Sequence, residues 1–130
     1  MPQLRLLHIA LCLTAIAILG ALAALRTLGP AGSVPLPVFA QYAMLAFAGV
    51  GILSAATLRT MIPPVQGLDE ASWLTANRAR CLLVWATLEG GVTLCGIAIF
   101  LGANLYASGI LAAGGLGYLV SLSPGTLAGH

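Results

Sequence analysis

Four apolar runs, each close to the length of a membrane crossing, divide the chain, and polar residues gather almost wholly between them. Leu6 to Leu25 carries no charge, and at 1.5 Å per residue about 20 residues cover a ~30 Å hydrocarbon core, so it is read as the first spanning helix. Gly29, Pro30, Gly32, Pro35 and Pro37 punctuate the next segment and predict a loop there, with Pro37 suited to a helix start. The second helix is expected over 38–58; Gly51 and Ala55 give it a small-x-x-x-small pair that lets a neighbouring backbone come close. Arg59 to Arg80 is the one long polar stretch. Pro63 and Pro64 stop the second helix there, and Asp69 is a candidate N-cap for a new helix near Glu70. The first turns of that helix, with Trp73 and Leu74 among Asn77, Arg78 and Arg80, read as an interfacial prelude to a third span over 81–101. A Gly102-Ala103-Asn104 turn leads to a fourth span over 105–122, rich in small residues and ended by Pro124 and Gly125.

The expected fold is therefore all-α: one integral membrane four-helix bundle comprising residues 1–130, with a loop at 59–80. Composition agrees, with 60% hydrophobic and 6% charged residues and a mean hydropathy of +1.05, outside the range of soluble domains. A secretory leader would share Arg5 before the first run and the cleavage-like Ala21-Leu22-Ala23, but the run is longer than a typical leader core and the helix reading is kept. Four spans put both termini and the long loop on one side with Arg5, Arg59, Arg78 and Arg80, against Arg26 alone on the other. The positive-inside rule makes that richer side cytoplasmic.

Charge is too sparse for a nucleic-acid footprint, the net value being +2. Cys12, Cys81 and Cys95 lack C-x-x-C spacing and read as small buried apolar residues. His8, one turn inside the first helix, and His130, at the end of the sequence, do not suggest a haem pair, and no cofactor or metal is expected. Tyr42, Tyr106 and Trp73 read as interfacial anchors.

One carboxylate departs from this pattern. Glu89 lies nine residues beyond Arg80, about 14 Å into the membrane. An ionisable group at that depth is a functional-site candidate by default. Insertion scales set a mid-span acid at up to about 3 kcal/mol against roughly 0.5 kcal/mol returned by each large apolar residue of the helix, so the span stands. On a helical wheel the face around Glu89 holds Leu82, Trp85, Ala86, Val92, Thr93, Gly96 and Phe100. Thr14, Gly49 and Gly114 or Gly115 fall at similar depth on the other helices. Arg78, about 16 Å along the axis, is too far to pair with it. With only hydroxyls and backbone nearby the neutral acid is the expected form, donating to a carbonyl or to Thr14. The residues singled out for function or helix packing are Glu89, Thr93, Thr14, Gly90 and Gly96.

The run Arg80-Cys81-Leu82-Leu83-Val84-Trp85-Ala86-Thr87-Leu88-Glu89-Gly90, followed by Leu101-Gly102-Ala103-Asn104 and by Pro124, is similar to small four-helix bacterial membrane proteins of uncharacterised function that carry Ala-x-x-Glu-Gly in the third span. That resemblance implies the plan of nearly the whole chain. The same helix resembles the carboxylate helix of rotary ATPase c subunits, which implies ion carriage by Glu89. The second helix, however, offers only Gly49 and Gly51 where c subunits have a glycine ladder. A four-helix glutathione-transferring enzyme would need Arg, Asn and Glu together at the helix ends, and Asn77 and Arg78 lie too far from Glu89. With no nucleophile and base, metal cluster or phosphate loop visible, no enzyme is expected. The sequence points to a structural or accessory membrane component acting through helix packing, with the bilayer and a homo-oligomer or larger membrane complex as its setting. The alternative is a proton- or cation-conducting protein that uses Glu89.

Overall fold

The computed structural model describes residues 2–28, 37–63, 69–101 and 105–128. Its helices are α1 (Pro2–Leu28), α2 (Val38–Thr60), α3 (Glu70–Phe100), α4 (Leu105–Ser121) and the single turn α5 (Pro124–Leu127). The loop expected after α1, Pro64, the Gly102-Ala103-Asn104 turn and His130 lie outside the described residues. Three helices are long and apolar enough to cross a membrane, within Gln3–Thr27, Val38–Thr60 and Ala71–Phe100. The fourth apolar helix is shorter: the 17 residues of α4 reach about 25 Å.

The surface suits lipid. Leu6, Ile9, Leu13, Phe39, Phe47, Leu53, Leu83 and Ile110 all point outward, an arrangement water would penalise as a large apolar patch. Tyr42 and Tyr106 are also exposed, in keeping with anchor roles.

Helix α3 organises the rest, since α1, α2 and α4 each make their main contacts with it. Half of its apolar window is buried, 50% against 17% for α1 and 11% for α2. Without a hydrophobic drive between helices in lipid, close approach depends on small residues, and each neighbour meets α3 at a glycine crossing. Helix α1 crosses at Gly96, where an added Cβ would lie 3.0 Å from a Leu22 methyl and 3.7 Å from the Leu19 Cα. Helix α2 crosses at Gly91, beneath Ile52 and 3.3 Å from the Ala48 carbonyl, and its own Gly51 faces the Gly91 Cα and the Thr87 carbonyl. Helix α4 crosses through Gly115, against Ile52 and Val92. Ile52 thus wedges over two glycines on two different helices.

The pairings fix direction. His8 meets Trp85 and Leu19 and Leu22 meet Gly96, so α1 runs parallel to α3; Trp85 reaches Leu122 and Val92 meets Gly115, so α4 runs antiparallel.

The start of α3 is stapled to the end of α2. Trp73, expected as an interfacial anchor, is buried, and its indole Nε1 donates to the Pro63 carbonyl at 2.7 Å. A Trp N–H that enters an interior needs such an acceptor, and the break after α2 exposes one. Asn77 donates back to the Trp73 carbonyl and accepts from Arg80.

The helix opens on the expected cap, with the Ser72 backbone N–H donating to Asp69 Oδ1 at 3.1 Å. The Ser72 side chain, then its N–H, hold the Asp69 carboxyl below its ordinary value of 3.8. A carboxyl lowered on folding contributes stability that is present above its unfolded value and is lost as pH falls through the folded one. Protection from hydrogen exchange at Ser72 and Trp73, taken relative to the intrinsic rate at each pH, should therefore hold at neutral pH and fall only below that value; Asp69→Asn should flatten this dependence.

Candidate functional site

Adjacent glycines divide the middle of α3. Gly91 turns into the α2 contact, whereas Gly90, about 100° around the helix, has no heavy atom within 4 Å of an added Cβ. With α1 and α2 on its flanks and α4 behind, α3 keeps one outward stripe, Ala79, Leu83, Ala86, Gly90 and Ile97. Along it runs an open groove lined by Ala86, Glu89, Gly90, Thr93, Leu94 and Ile97.

Glu89 stands half-buried at the α1 edge of that groove. The face read around it on the helical wheel is split: Trp85, Val92 and Gly96 are buried, whereas Ala86 and Phe100 are exposed. Neither the Glu89 carboxyl nor the Thr93 hydroxyl has a hydrogen-bond partner among the described residues. Thr14, expected as an acceptor for Glu89, is exposed on α1, and its hydroxyl donates to its own Ala10 carbonyl at 2.7 Å. A threonine hydroxyl in a helix finds the carbonyl four residues back without leaving its rotamer, and here that bond forms. Cys12 of α1 lies within electrostatic reach of Glu89.

Of the five residues singled out, then, Glu89, Gly90 and Thr93 share the groove, Gly96 lies at the α1 crossing, and Thr14 is apart from both.

A second polar centre escapes the sequence reading. His8 is 6% exposed, with Nε2 2.8 Å from the Leu119 carbonyl and 3.6 Å from Cys12 Sγ. Its ring lies 4.9 Å from that of Trp85 at a tilt of 44°, and Trp85 Nε1 donates to the Leu122 carbonyl at 2.7 Å. These two bonds tie the end of α4 to α1 and α3. The signal that could have found it is the i, i+4 line Leu4, His8, Cys12, with Ala15 next, all buried. Among the described residues no group of three His, Cys, Asp or Glu side chains is arranged to hold a metal. Cys12, Cys81 and Cys95 are free and buried, as their apolar settings suggest.

No family model, curated protein or solved structure matches the chain. The chemistry of the groove itself defines its capacity: two small residues one turn apart admit a neighbouring backbone, and a carboxyl beside them offers both a proton to donate and an oxygen to accept.

Proposed function

We propose that the protein is a structural or accessory component of a bacterial inner membrane, with four spans and cytoplasmic termini, that associates laterally through the Glu89 groove. The carrying observation is the exposed Ala86-x-x-x-Gly90 pair beside an unpartnered carboxyl within a spanning helix. Small-x-x-x-small pairs let helix backbones approach, and a polar side chain beside them adds an interhelical hydrogen bond. The occupant that fits is the same stripe of a second copy. A two-fold axis along the membrane normal brings each residue opposite itself, so two protonated Glu89 side chains meet at one depth, each donating to the other.

Cysteine at Ala86 should then crosslink two copies in native membranes under mild oxidation, and Gly90→Leu should abolish the crosslink while leaving the fold intact. Glu89→Gln, whose amide also donates and accepts, should keep the pair. Glu89→Leu should weaken association by about 1 kcal/mol, roughly fivefold. No crosslinked dimer, or one indifferent to Gly90→Leu, overturns the reading; a crosslink to a different protein replaces the second copy with a larger complex.

The open side of the groove also favours a second reading, in which Glu89 takes up and releases a proton or cation. There, reaction with a hydrophobic carbodiimide should depend on pH and Glu89→Gln should end transport; absence of labelling at every pH removes it.

A further inference from the structure

Where α1 begins and α4 ends, a half-open cavity of about 300 Å³ is lined by Arg5, His8, Ile9, Ser123, Pro124 and Gly125. The hydrogen bonding of His8 sets what this cavity presents. A carbonyl only accepts, so the nitrogen 2.8 Å from the Leu119 oxygen, Nε2, carries the proton. That leaves Nδ1 with a lone pair and with no partner among the described residues. It is not sealed away either, since among described side chains the one buried polar atom without a partner is Ser108 Oγ. His8 lines the cavity, where an accessible Nδ1 would act as an acceptor.

Arg5 adds a permanent positive charge in an exposed position. Ser123 Oγ is engaged with Thr126, and among the described residues no acidic side chain lines the cavity. The fitting ligand therefore carries an anion for Arg5 and, a few bonds away, an N–H or O–H for His8. Height narrows the choice. Arg5 lies just inside the Gln3 end of a membrane-length stretch, at the level of lipid headgroups, where basic pockets between helices bind lipid phosphates. Ile9, exposed beside the cavity, offers an apolar surface to an acyl chain.

We propose that this cavity seats the headgroup of a phospholipid bearing a hydrogen-bond donor, ethanolamine or glycerol, with its phosphate on Arg5 and its N–H or O–H donated to His8 Nδ1. Choline, which has no such hydrogen, lacks the second contact. The site is separate from the Glu89 groove, and neither proposal depends on the other.

Native mass spectrometry of the full chain, released from nanodiscs containing equal amounts of phosphatidylethanolamine, phosphatidylglycerol and phosphatidylcholine, tests it. One ethanolamine or glycerol lipid should be retained at least tenfold over the choline lipid. Arg5→Gln, at an exposed position, should lower retention of all three lipids, since each carries the phosphate, whereas His8→Phe should lose the preference over choline. In protein labelled with ¹⁵N-histidine, the Nδ1 resonance of His8 should move in ethanolamine-lipid nanodiscs and stay in place in pure choline-lipid ones, a response that a merely structural histidine would not give. Equal retention of choline lipid, full retention by Arg5→Gln, or an unmoved Nδ1 resonance overturns the proposal. Displacement by millimolar glycerophosphoethanolamine overturns the lipid as the source and leaves a soluble phosphoamine in its place.

Discussion

Leucine at position 115 should strip the bundle of its stable fold, whereas leucine one residue earlier should pass almost unnoticed. At Gly115 a bare Cβ would already sit 2.8 Å from Ile52 Cδ1 and 3.0 Å from Val92 Cγ2, so three helices, α2, α3 and α4, meet over one missing side chain. The remaining leucine carbons would have to enter the same space. Overpacking of this kind costs typically 1–3 kcal/mol, and here it falls on a junction that no single helix can relieve by moving alone. At Gly114 nothing lies within 4 Å, and a leucine there faces lipid, for an expected change within about 0.5 kcal/mol. Maleimide labelling in membranes reads both outcomes, because Cys81 and Cys95 are wholly buried and free in the folded chain. They should become reactive in Gly115→Leu and stay protected in Gly114→Leu. Shortening Ile52 to alanine beside Gly115→Leu should restore part of the protection, since the two substitutions share one contact. Equal protection in both leucine variants would mean that α4 does not cross where described.

The contrast between residues 114 and 115 also marks what a sequence of this kind can tell. The apolar runs, the proline stops and the Asp69 cap predict the helices, because each rests on a local property: transfer into lipid, a missing N–H, a side-chain acceptor. Facing is different. In water the apolar side of a helix is the inner side, but in lipid both sides are apolar, so hydrophobic periodicity cannot separate Gly90 from Gly91 or Gly114 from Gly115. The inner face is written instead in small residues and polar ones. His8, Cys12 and Ala15 follow that rule on α1, as do Ala48, Gly51 and Ala55 on α2. Glu89 shows the limit: its depth is legible from its distance to Arg80, but its position at a groove edge depends on where α1 and α2 cross α3. Trp73 shows another, since its burial requires the Pro63 carbonyl, which lies outside its own helix.

Trp85→Ala should give the second large effect, and its partner variant Trp85→Phe should divide that effect into packing and hydrogen bonding. Trp85 is wholly buried, with one ring face against His8 and its N–H on the Leu122 carbonyl at 2.7 Å. That carbonyl ends α4 and is among the last groups of a helix, which have no acceptor role within it and need an outside donor. Alanine removes the ring and the donor together, for an expected loss of about 3–5 kcal/mol. Phenylalanine keeps most of the ring and leaves the carbonyl unpaired, for about 1–3 kcal/mol. Unfolding by SDS from mixed micelles, followed by the fluorescence of the remaining Trp73, measures both. The gap between the two variants is the packing of the indole between α1 and α4. If phenylalanine costs as much as alanine, the bundle at this level is held through the Leu122 carbonyl, and the His8 ring, which rests on the same α4 terminus through Leu119, should lose its fixed orientation in both variants alike.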